Sequence, residues 1–266
     1  MVRLSWLRYR DYRDGMIFRP TNPTSHRVAR LAFVLACLSA PVVAIAGPLH
    51  HYLGVDRDSA LNVFRFGFYI AAASIALALA VIPPTRPGDR RRGFVAAVLA
   101  LVIGVASAWA PFTWLIHAYR APDLTDITTD TENPPKLVAT LKMRQGATNG
   151  PAYPGHAVAE LQHAIYPELT PIRLTVPPAE AFRRVERVAA AMGWQVVARA
   201  ATEGRLEAVA TSPWFGFHDD IAVRVRRDGA AGSRVDIRSK SRTGTSDLGV
   251  NAERIRTFAR LLLAEK

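Results

Sequence analysis

Cysteine is almost missing from this chain. The single one, Cys37, stands inside an apolar run, so no disulfide can staple the molecule and each folded unit must rest on its own core. Acidic residues are also short, 22 Asp and Glu against 34 Lys and Arg, a net charge of +12. There is no GxSxG, no HExxH and no Cys–His pairing, which removes the usual serine hydrolase, zinc protease and thiol enzyme readings. No cofactor or metal signature replaces them.

Charge is nearly absent from three long stretches, Val28–Ala46, Ala60–Ile82 and Phe94–Ala118. Each has roughly the 17 to 25 residues that a helix needs to cross ~30 Å of hydrocarbon. They account for a hydrophobic content of 50%, high for a soluble chain that is 21% charged. Three such runs separated by short polar loops read as three transmembrane helices. The first is too long and too Pro-broken, at Pro41, for a cleaved signal peptide, and is expected to be an uncleaved anchor. The small-residue pairs Gly67/Ala71 and Gly104/Ala108 mark places where helices can approach closely.

The arginines set an expected orientation. Residues 1–30 hold seven Arg against two Asp, and Pro83–Arg92 holds four against one, whereas Gly47–Ser59 has only Arg57 between Asp56 and Asp58. Positive-inside then places the N-terminus in the cytoplasm, and everything after Tyr119 in the periplasm of a Gram-negative cell. The same asymmetry explains the basic balance: residues 1–118 carry 13 basic and 5 acidic side chains, residues 119–266 carry 21 and 17. The excess belongs to topology signals, so nucleic acid is not the expected partner. The first 18 residues mix Arg with Trp6, Tyr9, Tyr12 and Phe18, a composition suited to an anionic inner leaflet.

The expected organisation is a cytoplasmic basic tail (1–27), a three-helix membrane region (28–118), an extended connector (119–165) and an extracytoplasmic α+β domain (166–266). The connector contains DITTDTENPP, in which Pro134 and Pro135 oppose helix. Asp126, Thr128, Asp130 and Glu132 alternate as calcium ligands can, but the Gly and terminal Glu of a calcium loop are missing. His156, Glu160 and His163 have chelating spacing on a short helix, His156–Ile165, although a polar surface face is the simpler account.

From Tyr166 the periodicities give strand, helix, four strands, helix (β-α-β-β-β-β-α), an antiparallel sheet with two helices on one face. In PWFGFHDDIAVRVRRDG the odd positions from Phe215 to Val225 form an apolar row that includes Asp219. Pairing this strand with SRVDIRSKSR so that residue numbers sum to 460 sets Arg224 opposite Asp236; sliding by two sets it opposite Arg234. In the favoured register Ile221 meets Ser239 and Asp219 meets Ser241. Asn251 lies on the buried stripe of the last helix, so Asp219, Ser239, Ser241 and Asn251 converge as a candidate polar or ligand cluster. A satisfied structural network is the leading account of it. Arg224, Arg226, Arg238, Lys240 and Arg242 form a candidate anion-binding stripe on the opposite face, with an ordinary solvated sheet face as the alternative.

DITTDTENPP, YPELTPIRL, WFGFHDDIAVRVR and SRVDIRSKSRTGTSDLGVNAERIRTF together resemble the bacterial family known as domain of unknown function 1499, from about Asp126 to the C-terminus. The resemblance implies an exported or membrane-tethered module and supplies no activity. Its motif positions fall here on Asp126, Thr128, Asp130, Pro134, Trp214, Phe217, Asp219, Asp220, Arg238, Ser239, Ser241, Gly244, Ser246, Asp247, Asn251 and Arg254. The expected function is that of a multi-pass bacterial inner-membrane protein whose periplasmic module is a non-enzymatic binder of an envelope lipid, glycan or protein. The alternative is a hydrolase using Asp219.

Overall fold

The first apolar run becomes α1, Pro23–His51, and the helix continues through Pro41. The second, α2, Arg57–Val81, starts earlier than the apolar pattern because Asp56 accepts from the Ser59 N–H at 2.9 Å and caps it. The third, α3, Arg91–Arg120, runs through Pro111. A computed structural model describes residues 23–85 and 91–265 of the chain. The aromatic-basic start of the N-terminal tail and Arg86 and Arg90 of the second loop lie outside the described residues.

All three helices are long and apolar enough to cross a membrane. Their packing surface is made of small residues: Ala32, Ala36, Ala78 and Ala100 form one buried cluster, and Ala29, Val81 and Ala97 another. Ser74 ties them together, donating to the Ala32 carbonyl at 2.9 Å with the Ala100 carbonyl 3.5 Å away. The two small-residue pairs are used inside this bundle. A Cβ on Gly67 would stand 2.6 Å from Val43 Cγ2, and one on Gly104 2.9 Å from Ile75 Cγ1. Leu31, Val34, Leu38, Phe66 and Trp109 point outward.

The chain forms two compact units. One takes the chain up to Ala46 together with Asp56–Thr113; the other takes Gly47–Val55 and everything from Trp114. The second unit is built on a six-stranded antiparallel sheet: β1 Asp126–Thr128, β2 Ile172–Leu174, β3 Gln195–Ala200, β4 Arg205–Thr211, β5 His218–Asp228 and β6 Gly232–Ser241. Their order is β1-β6-β5-β4-β3, with β2 sharing the β6 edge with β1. In the central hairpin Asp219 pairs with Ser241, Arg224 with Asp236 and Val225 with Val235, the register that the charge pattern favoured.

Helices α5, Pro178–Ala191, and α6, Val250–Ala264, pack on one face of the sheet. Pro178 sits in the first turn of α5, where its missing N–H costs nothing, and Gly193 ends the helix with φ +69°. Phe182, Val185 and Val188 of α5 and Ile255, Phe258 and Leu262 of α6 meet Leu206, Ile221, Val223, Val235 and Ile237 in one core. Trp194 stacks on Phe258 with ring centroids 5.5 Å apart. The hairpin from β3 to β4 turns at Gly204, φ +64°, where a Cβ would fall 2.1 Å from the Val225 carbonyl oxygen.

The expected extended connector is a correction. Residues 126–155 contribute β1, a 3-10 segment Ala139–Arg144 and the lead into α4, His156–Ile165, all within the sheet-bearing unit. The segment after β1 crosses the sheet face that α5 and α6 leave open, as its bonds to Arg224, Arg238 and Glu207 show.

Candidate functional site

Strand alternation sends Asp219, Ile221 and Val223 toward the helices, and α6 sets Asn251 and Arg254 on one side of its first turn. The four predicted residues do come together. Ser239 Oγ donates to Asn251 Oδ1 at 2.7 Å, and Asn251 Nδ2 donates to Ser241 Oγ at 3.0 Å and to the Thr125 carbonyl at 3.2 Å. Asp219 joins them through a residue outside the predicted cluster. Arg254 donates to Asp219 Oδ2 at 2.7 Å and to Ser239 Oγ at 2.9 Å. Ser239 and Asn251 are fully buried, and every polar side-chain atom that Asn251 carries has a partner in this set. The signal for Arg254 was its place three residues after Asn251, on the same helix face.

Asp247 completes the junction. Its Oδ1 accepts from the Gly249 N–H at 2.8 Å and its Oδ2 from the Asn251 N–H at 3.0 Å, so it caps α6 from three residues before the helix. Burial pushes its carboxyl above the usual range, opposed by those two N–H groups and reinforced by the Asp219 charge. His218, at the start of β5, is pushed down by burial and then by the Arg242 charge, and its Nδ1 meets Thr211 Oγ1 at 2.9 Å.

The stripe on the other face requires a correction. Arg224, Arg226, Arg238, Lys240 and Arg242 project away from the helices as expected, but that face is neither open nor solvated throughout. Asp126 of β1 takes Arg238 in a two-pronged bond, at 2.8 and 2.7 Å, and Lys240 at 2.7 Å. Asp130 and Asp236 draw together Arg224, Arg226 and Arg234, at 2.7 to 3.3 Å. Asp220 holds Arg242 at 2.7 Å and also bonds Arg144 of the 3-10 segment. Asp126 and Asp130, considered as calcium ligands, thus face cations; among the described residues no three His, Cys, Asp or Glu side chains gather as a metal site.

Two further contacts fasten the crossing segment. Glu207 on β4 accepts from the N–H groups of Val138, Ala139 and Thr140 at 2.9, 3.0 and 3.1 Å and bonds Arg205. Burial pulls its carboxyl upward, but the N–H donors of Ala139, Thr140 and Val138 with Arg205 outweigh that, leaving it below the usual range. The Tyr153 ring lies under the Arg238 guanidinium, 5.6 Å away, and burial with the nearby Asp126 charge pushes its phenol up to about 12. Burial lowers the Lys240 ammonium, an effect that Asp126 opposes.

Three long apolar helices followed by a two-layer antiparallel α+β unit define a candidate multi-pass membrane protein that carries a folded module. Residues 126–262 match the family model described as protein of unknown function (DUF1499), and the chain belongs to that family. A search of curated proteins gives no match. The matched span begins at β1, so the family unit includes the segment that crosses the sheet.

Proposed function

We propose that this is a multi-pass protein of a bacterial inner membrane that holds its α+β module in the periplasm as a non-enzymatic interaction module for an envelope lipid, glycan or protein. One observation carries the reading: the acidic and basic side chains best placed for chemistry are spent on each other. Asp219 is bonded to Arg254, Asp126 to Arg238 and Lys240, and Asp220 to Arg144 and Arg242. Paired in this way, Asp219 has a cation where a hydrolase would need a reacting group. The outward surface is then what remains to meet a partner.

The orientation rests on the arginine asymmetry of the loops. It is tested by replacing Cys37 with Ala, introducing cysteine at Ala230 in the β5–β6 turn, and labelling spheroplasts with a membrane-impermeant maleimide. Labelling without permeabilisation supports the periplasmic module; labelling only after lysis contradicts it. The binding role is tested by crosslinking in cells followed by mass spectrometry of the purified full chain. Absence of any lipid, glycan or protein adduct on residues 126–265 counts against it.

A further inference from the structure

The outward side of the segment that crosses the sheet has a composition that its inward side does not. Leu137, Thr140 and Arg144 are buried against the sheet, while Val138, Leu141 and Met143 stay 48%, 43% and 38% exposed. Lys136 and Lys142 are exposed beside them, and no Asp or Glu occurs between Asn133 and Ala159. Three exposed apolar side chains framed by two ammonium groups, in a stretch free of acidic residues, match the chemistry of an anionic headgroup layer over acyl chains.

The position of this patch within the sheet-bearing unit points the same way. That unit includes Gly47–Val55, the C-terminal end of α1 and the residues that follow it. A Cβ on Gly47 would stand 2.6 Å from Trp214, one on Gly216 would stand 2.6 Å from His51, and His50 lies 5.4 Å from Phe217. Within that unit the β4–β5 loop therefore rests on the C-terminal end of α1. Arg144 bonds Asp220, close to that loop, and the Ser241 carbonyl at the end of β6. Val138 and Thr140 are held farther along β4, by Glu207. The 3-10 segment thus advances toward the end of the sheet where the β4–β5 loop meets Gly47, His50 and His51.

We propose that Val138, Leu141 and Met143, with Lys136 and Lys142, form a contact surface for an anionic phospholipid bilayer. This deepens the envelope reading above by naming its partner. Apolar contact with acyl chains and the attraction of two ammonium groups act together, and the anchor keeps the surface at high local concentration near lipid.

The test uses the full chain with Cys37→Ala and an NBD probe on Leu141→Cys or, separately, Met143→Cys. Ala230→Cys, in the β5–β6 turn, serves as the control. Each is placed in nanodiscs of phosphatidylcholine alone or with phosphatidylglycerol, with and without doxyl-labelled lipid. The expected result is a blue shift at 141 and 143, with loss of intensity to doxyl lipid, only in the anionic discs. Lys136→Glu with Lys142→Glu should abolish both, and the probe at 230 should show neither. Water-like emission at 141 and 143 in both discs overturns the proposal. A blue shift without doxyl quenching also overturns it, because the patch then meets protein, such as a second copy. Equal quenching in both discs, insensitive to the Lys changes, overturns the anionic selectivity. The spheroplast assay is independent: cytoplasmic labelling at 230 would remove the periplasmic assignment and leave the nanodisc result standing.

Discussion

Arg254, one turn into α6, donates to Asp219 at the start of β5 across 2.7 Å, and both side chains are nearly buried. The sequence showed Asp219 on a core-facing row without its counterion; the structure supplies one from the helix that the row supports. Removing one partner of such a pair leaves an uncompensated charge. Arg254→Met is expected to destabilise the sheet-bearing unit by about 3 kcal/mol, and Asp219→Asn by less, because the amide keeps an acceptor. Denaturant unfolding of the detergent-solubilised chain followed by Trp194 fluorescence checks this. The double variant should cost less than the sum of the single ones.

Asn251 has the same role without charge. Asn251→Leu would strand the Ser241 hydroxyl and take away the acceptor of the Ser239 hydroxyl, leaving Ser239 with Arg254 and the Thr125 carbonyl with the Ser241 N–H, and is expected to lose about 1–3 kcal/mol in the same assay. Ser241→Ala, which removes one partner at the margin of the cluster, should sit at the lower end of that range.

Glu207 and Asp247 should give opposite pH signatures. The folded-state pKa of Glu207 is lowered, so its contribution is fully present above the ordinary carboxylate range and is lost as pH falls through the folded value. Asp247 is raised; its charged form costs stability, a cost that appears as pH rises from its ordinary value through the raised one. Glu207→Gln should therefore flatten the acid limb of the stability curve and speed amide exchange at Val138, Ala139 and Thr140. Asp247→Asn should steepen that limb instead, because it removes a group whose ionisation costs stability as pH rises. Unfolding measured across the acid range in wild type and both variants checks the signs.

In the helical unit, Ser74→Ala should cost only about 0.6 kcal/mol, the average worth of a hydrogen bond between membrane helices. Gly67→Leu should cost more, because Val43 already occupies the space that its side chain would need. Unfolding in mixed micelles by a steric trap separates the two.

The legible parts were those governed by short-range periodicity. Pleat alternation and helical spacing placed Asp219, Ser239, Ser241 and Asn251 together, and charge opposition at Arg224 and Asp236 selected the hairpin register. The crossing segment was not legible for a physical reason. It is held by bonds that close loops of more than 60 residues, such as Arg238 to Asp126 and Val138 to Glu207, and no local pattern announces such partners. Strand β1 is three residues long, too short for alternation to show, and Pro134 and Pro135 truthfully opposed helix without saying where the chain lay. The basic stripe was read on the correct face, but its acids come partly from that segment, so its openness was misjudged.

The central claim is that residues 126–144 are a built part of the module, closing the basic face with their own carboxylates and with Glu207. Hydrogen exchange of the full chain in nanodiscs tests it most directly. Slow exchange is predicted at Thr128, Thr129, Val138, Ala139 and Thr140, whose N–H groups bond Gln162, Ile237 and Glu207, with selective acceleration at 138–140 in Glu207→Gln. Exchange at these amides as fast as in an unstructured peptide would contradict the account and return the stripe from Arg224 to Arg242 to an open, anion-accessible face.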